Sequence, residues 1–353
     1  MREDFQLSDR ERDVLEAVIR SFVDSAEPAG SRTVARRFPL GISAATVRNT
    51  MADLEEKGFL YHPHTSAGRI PTDRAYRYYV DGLMRPVRLS VAQERRLRHE
   101  LGAAEPPALE RLLRRCAQAL GLVSGELGLA MNPGLDEAVL EKLELISAAP
   151  EKVLLVLTLR SGTIRTVYID LPGTVPAETL HAVSAVLNER LAGQTLREIR
   201  GSLPERLRDT GLADEAAHGL LNIFLQSGDD LFEANPPVDE QVHLGRTSVL
   251  AAQPEFASGT QLKSLIELTE QRDLFARMLN HRSRQAPLEV TIGREHGRPE
   301  LSPFTLVTSH YQSGNLSGVI GVIGPTRMPY ERVVAIVDAA SKLVSELLDS
   351  ATS

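Results

Sequence analysis

The sequence predicts an α+β multidomain chain that opens with a winged helix-turn-helix and continues into a larger mixed domain. Three observations carry this. The N-terminal segment reads helix, helix, turn, helix, hairpin. The remainder sets β-rich runs among helical patterns, and the runs are interrupted by a helix-rich, polar stretch. At 353 residues the chain has room for two or three domains of about 100–200 residues each.

Composition narrows the class. Hydrophobic residues make up 42% and charged residues 25%, an ordinary globular balance that excludes wholesale disorder. Trp is absent and aromatics reach 5%, so the cores must rest on Leu, Val, Ile and Ala. The single cysteine, Cys116, excludes an internal disulfide or a Cys-based metal cluster and fits a reducing cytoplasm. It lies beside Leu112, Leu113 and Leu120 on a helical pattern, which reads as a buried structural thiol. No apolar run approaches the roughly 18 residues of a membrane span. Met1 to Asp4 are charged and offer no signal-peptide core. A cytoplasmic protein without membrane contact is therefore expected.

Charge is unevenly spread. Between Pro28 and Arg88 there are ten Lys/Arg against five Asp/Glu, on a chain whose net charge is −7. A basic segment on an acidic body suits a DNA-reading domain, although a solvated surface gives the same count.

The elements follow in order. Ser8 and Glu11 form a capping box. Val14, Leu15, Val18, Ile19, Phe22 and Val23 then recur at helical spacing. Glu27 to Gly30 end that helix, and Ser31 is the expected N-cap of a short helix from Arg32 to Phe38. Ser43 caps a third helix running to about Lys57, and Gly58 stops it. Phe59 to Tyr61 and Ile70 read as the two arms of a hairpin. Pro71-Thr72-Asp73 starts a further helix, with Tyr76, Tyr79, Val80 and Leu83 inward and Arg74 and Arg77 outside.

The third helix has two faces. Val47, Met51 and Leu54 share one side, and Ala45, Arg48, Asn49 and Ala52 fall opposite, flanked by Thr46. Small outward residues let a helix enter a major groove about 12 Å wide, where Arg pairs with guanine and Asn with adenine. The helix start at Ser43 favours a phosphate. At the hairpin tip, Thr65, Ser66 and Arg69 suit DNA contacts, Gly68 suits a tight turn, and His64 adds charge as pH falls. His62 and His64 lack a visible third ligand, so no metal is expected. The expected DNA-binding residues are Ser43, Ala45, Thr46, Arg48, Asn49, His64, Thr65, Ser66, Gly68 and Arg69.

Further along, Leu89–Leu101, Ala108–Leu122, Ala177–Leu191 and Arg332–Leu348 are helical in pattern. Lys152–Leu159, Ile164–Leu171, Val242–Leu250, Leu288–Ile292, Thr305–Tyr311 and Leu316–Ile323 read as strands. Gly318, Gly321 and Gly324 lack the order of a phosphate loop and suit a strand with close backbone approach. No nucleophile–base pair, metal set or cofactor loop points to an enzyme, and no cofactor is expected.

Four stretches carry a family resemblance. They are Gly41-Ile42-Ser43-Ala44-Ala45-Thr46-Val47-Arg48-Asn49-Thr50-Met51-Ala52-Asp53-Leu54, His64-Thr65-Ser66-Ala67-Gly68-Arg69-Ile70-Pro71-Thr72, Gln253-Pro254-Glu255-Phe256, and Gly321-Val322-Ile323-Gly324-Pro325-Thr326-Arg327-Met328-Pro329-Tyr330. Together they resemble the HrcA family of bacterial heat-inducible transcription repressors. The resemblance implies a winged helix-turn-helix followed by a GAF-like α+β domain interrupted by an inserted helix-rich dimerisation module. The expected boundaries are 1–88 for the DNA-binding domain, 89–195 and 243–353 for the two GAF-like parts, and 196–242 for the insertion. The resemblance also implies a homodimer on an inverted-repeat operator (CIRCE) upstream of chaperone operons of the groE and dnaK type, with the GroE chaperonin sustaining activity. The alternative is a metabolite-responsive winged-helix regulator whose GAF-like domain senses a ligand. Arg327 is expected to pair with a carboxylate and fix the loop before the last helix.

Overall fold

The computed structural model describes residues 7–64, 67–85, 87–102, 109–208, 211, 214–233, 241–280, 282, 288–314 and 316–352. It is a mixed structure with three sheets.

The N-terminal part follows its local signals. Helix α1 (Asp9–Ser25) opens on the Ser8–Glu11 capping box and buries Val14, Leu15, Val18 and Ile19. Helix α2 (Ser31–Arg37) departs by one residue from expectation. Gly30 is its N-cap, because the Gly30 carbonyl already accepts the Val34 N–H at 3.0 Å, so Ser31 falls inside the first turn. Helix α3 (Ala44–Glu56) is capped by the Ser43 hydroxyl, which accepts the Thr46 N–H at 3.1 Å. Gly58, at φ +75°, takes the left-handed turn that only glycine adopts without strain. Strands β1 (Leu60–Tyr61) and β2 (Ile70–Pro71) pair antiparallel, and Thr72 caps helix α4 (Asp73–Tyr78). A π turn, Tyr79–Leu83, continues it.

A five-stranded antiparallel sheet anchors the rest. Its strands are β3 (Leu127–Met131), β7 (Val242–Leu244), β8 (Leu288–Ile292), β9 (Phe304–Ser313) and β10 (Leu316–Pro325), in the order β7-β3-β10-β9-β8. Helices α5 (Val91–Leu101), α6 (Leu109–Ser124) and Tyr330–Thr352 are gathered at this sheet, and Ile320 and Val322 share their core. Val319 and Ile323 point the other way, into a second core with Leu265 and Leu268 of helix Gly259–Glu270 and Leu274 and Phe275 of helix Arg272–Asn280. Every residue of β3 is buried. A strand covered on both faces shows no polar–apolar alternation, which hides it in the sequence. Gly321 sits where a Cβ would lie 2.2 Å from the Val307 carbonyl oxygen, so the strand needs glycine there for close approach.

Two expectations need correction. The strand expected over Val242–Leu250 ends at Leu244, and Ser248–Ala251 forms a helical turn. More consequentially, β5 (Lys152–Leu159) and β6 (Ile164–Asp170) do not join the large sheet. With β4 (Leu140–Ala149) they form a separate sheet, β4-β5-β6, covered by helix α7 (Ala177–Leu191), against which α8 (Leu196–Arg206) and α9 (Glu215–Leu231) pack. One core runs through this unit from Leu135 to Phe232. Helices α8 and α9 therefore belong to the same core as the strands before them.

One buried carboxyl lies beneath the large sheet. Glu126 is 3% exposed, and it accepts a hydrogen bond from Gln253 Nε2 at 2.9 Å. Burial pushes its pKa from 4.5 up to about 8. An acid with a raised folded pKa leaves stability intact below pH 4.5 and erodes it as pH rises towards about 8. Glu126→Gln is expected to remove that slope and to gain on the order of a few kcal/mol above pH 8, relative to wild type. Urea unfolding of both proteins from pH 4 to 9 checks it, and parallel curves would contradict it. Cys116 is buried as expected, and burial pushes its thiol up to about 12.

Candidate nucleic-acid interface

The third helix separates its faces cleanly. Val47, Thr50, Met51 and Leu54 are buried against α1 and α2, while Ala45, Arg48 and Asn49 are exposed. Thr46 is half-buried, and its hydroxyl lies 2.9 Å from Ser43 Oγ, so both hydroxyls are tied to the helix start. Arg48 makes no ion pair among the described residues. Neither do Arg32 and Arg36, which are exposed one turn apart on α2. Arg37 is different, since it pairs with Asp24 at 2.6 Å. On α2 and α3 the described cations outside any ion pair are thus Arg32, Arg36 and Arg48. The i, i+4 spacing of the first two, away from buried Val34, is the signal in the sequence that sets them on one outward face.

The hairpin is held to α3 by one carboxylate. Glu55, in the last turn of α3, pairs with Arg69 at 2.7 Å and with His62 Nδ1 at 2.8 Å. The Arg69 side chain is only 14% exposed. Its backbone also forms a β-bridge with Ala29, with N–H···O distances of 2.8 and 3.0 Å. Gly68 is not in a left-handed turn. A Cβ there would lie 2.5 Å from the Ala29 carbonyl, so glycine is required for close packing instead. His64 is exposed, whereas Thr65 and Ser66 lie outside the described residues.

Arg69 thus does structural work that the sequence did not announce. Arg69→Ala is expected to loosen the hairpin, speeding amide exchange at Tyr61 and Ile70. It should leave the slope of log K against log salt for DNA unchanged, since a cation already paired with Glu55 displaces no phosphate counterion. A slope flatter by about one unit would assign Arg69 to a phosphate.

Arg77 is likewise not outside. It is half-buried, donating to the Val290 carbonyl at 2.6 Å and pairing with Glu295 at 2.5 Å. The expected carboxylate partner of Arg327 is Glu255, within the Gln253-Pro254-Glu255-Phe256 stretch. Among the described residues no cluster of three or more His, Cys, Asp or Glu could hold a metal. No described helix is long and apolar enough to cross a membrane.

Comparisons with known proteins agree over nearly the whole chain. A family profile described as HrcA protein C terminal domain matches residues 110–334. A heat-inducible transcription repressor HrcA of Chlorobium phaeovibrioides is 38% identical over 360 aligned residues, covering 98% of this chain and 99% of its own. The protein of the same description from Chlorobaculum tepidum is 36% identical, covering 96% and 97%. A crystal structure described only as that of a hypothetical protein superposes with a TM-score of 0.62 at 23% identity. It covers 99% of this chain and 100% of its own, so the overall fold is shared. The chain is therefore of the transcription-repressor class. It belongs to the HrcA family of heat-inducible transcription repressors.

Proposed function

We propose that residues 1–88 are a winged helix-turn-helix that reads DNA through α3, in a cytoplasmic homodimer bound to a CIRCE-type inverted repeat upstream of chaperone operons of the groE and dnaK type. The observation that carries this is the exposed Arg48–Asn49 pair above the buried Val47/Met51/Leu54 stripe. Arg48 and Asn49 read bases, Ala45 lets the helix approach, and Arg32, Arg36 and backbone N–H groups near Ser43 hold phosphates. His64, Thr65 and Ser66 at the hairpin tip add contacts to the sugar–phosphate backbone, and Gly68 and Arg69 support the tip from behind.

The inserted module is delimited by a core of its own, while the core of residues 1–88 continues into the body. Residues 89–133 and 241–353 form the GAF-like body, and 135–232 form the inserted dimerisation module. The outward face of β4-β5-β6 supports this module as the dimer surface. Ile146, Ile164 and Tyr168 are 49%, 65% and 68% exposed there, too apolar for a face left in water. Register sets Ile146, Leu154 and Tyr168 in one row across the sheet. Binding titrations of the full chain with duplexes carrying the whole repeat, one half and a scrambled repeat test the reading. The whole repeat should bind at least about tenfold tighter than one half. Equal affinity for the scrambled duplex would contradict it.

Dependence on the GroE chaperonin is part of this proposal. Strand β10 pairs with β3, nearly two hundred positions earlier in the chain, and such non-local pairing forms slowly. Until it forms, the apolar run Val319–Ile323 is an exposed aggregation and chaperone site. Heat-damaged proteins then compete for chaperonin and lower the active repressor population. Operator binding should recover after dilution from denaturant with chaperonin and ATP. It should recover poorly without them, or with an unfolded competitor added. Equal recovery in all three would contradict this part.

A further inference from the structure

We propose that the Thr326-Arg327 loop and the Gly293–His296 turn form a two-point clamp that sets the pose of the N-terminal reading head on the body. This rests on the DNA-reading function proposed above, and it assigns Arg327 and Arg77 as positioning residues for it.

The first point is Arg327. Its guanidinium donates through Nη1 to the Val23 carbonyl at 2.5 Å and through Nη2 to Glu255 at 3.0 Å, and Nε is bonded to the same carboxylate. Val23 lies in the last turn of α1, where a helix leaves its carbonyls open. That turn carries no basic residue of its own. Arg327 therefore supplies, from 304 positions away, the cation that a helix C-terminus favours. Lysine cannot replace it, because one ammonium does not span both partners with a fixed fork.

The second point joins α4 to the turn after β8. Arg77 grips the Val290 carbonyl and Glu295, while Asp73 Oδ2 accepts the Arg294 N–H at 2.9 Å. Gly293 is fitted to this twice over. Its φ is +54°, and a Cβ would lie 2.3 Å from Asp73 Oδ2. Between the two points Tyr79 is hydrogen-bonded to Glu331, and the Tyr76 ring lies 5.6 Å from the Tyr330 ring.

One apolar core runs across the seam, from Val14 and Leu15 of α1 to Val333 and Ile336 of the final helix, but the seam is open beside the polar contacts. A cleft of about 1390 Å³ opens between head and body, and residues of both points line it, including Asp73, Arg77, Glu255 and Arg327. Apolar contact at Tyr76 and Tyr330 holds the parts together without direction. The polar contacts are directional: the two arginine anchorages lie on α1 and α4, and between them Glu331 accepts from Tyr79 and pairs with Arg20 at 3.5 Å. Two anchored points fix an angle where one would leave a hinge. A dimer on an inverted repeat needs that angle, since the half-site spacing is read by how rigidly its two heads are held.

The test uses the full chain with nitroxides on Arg10→Cys in α1 and Lys342→Cys in the final helix, labelled chains being diluted with unlabelled ones. The buried Cys116 thiol stays unlabelled. Electron–electron resonance should give one narrow distance with the clamp intact, and Arg327→Gln, Arg327→Lys and Arg77→Gln should each broaden it by about twofold or more. The same proteins are then titrated with inverted repeats differing only in spacer length. The intact clamp should favour one spacer by about tenfold, and the variants should bind all spacers within about twofold with half-site affinity unchanged. Should Arg327→Gln fail to fold, Glu255→Gln and Arg77→Gln carry the test. Unchanged distance widths in the variants overturn the clamp, and so do broadened widths with an intact spacer preference. Broadened widths in a chain whose clamped form binds no repeat uphold the clamp and overturn the DNA reading instead.

Discussion

Lysine at both Ile164 and Tyr168 is expected to convert the proposed dimer to monomers and to weaken binding of the whole repeat by about 10²–10⁴-fold. Both side chains stand on the uncovered face of β4-β5-β6, at 65% and 68% exposure, so the change leaves the underlying core of Leu155, Leu157 and Ile169 untouched. Two like charges per copy, brought together across a two-fold interface, oppose association and must be desolvated. Once the copies part, each half-site binds alone, and the second binding event loses its effective concentration. Half-site affinity should not move. Sedimentation velocity and paired titrations on whole and half repeats check this. A variant that remains dimeric would place the interface on another face of the molecule.

Alanine at Arg48 or Asn49 is expected to remove about 1–3 kcal/mol of discrimination per half-site, roughly 5- to 150-fold, if each makes a bidentate base contact. Both positions are exposed, and alanine is the best helix former, so the unfolding midpoint should not fall. The loss should concentrate at particular base pairs. Arg48→Ala should relax a guanine preference and Asn49→Ala an adenine preference. Arg32→Ala, by contrast, should weaken every sequence alike and flatten the salt slope by about one unit. Wild-type discrimination in both α3 variants would remove that helix from base reading.

Legibility in the sequence followed the range of the interactions. The Ser8 and Ser43 caps are signals spanning three residues, and the structure keeps both. Helix Ala177–Leu191 and strand Leu288–Ile292 have the bounds that their periodicity gave. Burial on both faces hid β3, because alternation needs one wet side. The separate sheet was misplaced for a related reason. Lys152–Leu159 looks the same whether it joins one sheet or another, and only its pairing with Leu140–Ala149 decides. Helices α8 and α9 show polar faces that suggest a unit of their own, while their apolar faces complete a core begun at Leu135.

The site was read with the same unevenness. The two faces of α3 are a property of one helix, and the sequence displays them. Arg69 stood at an expected DNA contact and Arg77 on an expected outer face, yet each is engaged by a cross-element partner, whereas Arg327 meets the carboxylate expected of it. Glu55 lies on the preceding helix, Glu295 is 218 positions from Arg77, and Glu255 is 72 positions from Arg327. A count of local charge cannot separate a cation that waits for phosphate from one already spent on a carboxylate.

The most direct measurement is a hydroxyl-radical footprint of the full chain on the promoter regions of its own genome's chaperone operons, made with wild type and with the Arg48→Ala/Asn49→Ala double variant. Two protected patches related by two-fold symmetry over an inverted repeat, with half-site centres a whole number of helical turns apart, are expected for wild type and should be absent for the double variant. Protection that is missing from every chaperone promoter, or that persists unchanged in the double variant, would contradict it.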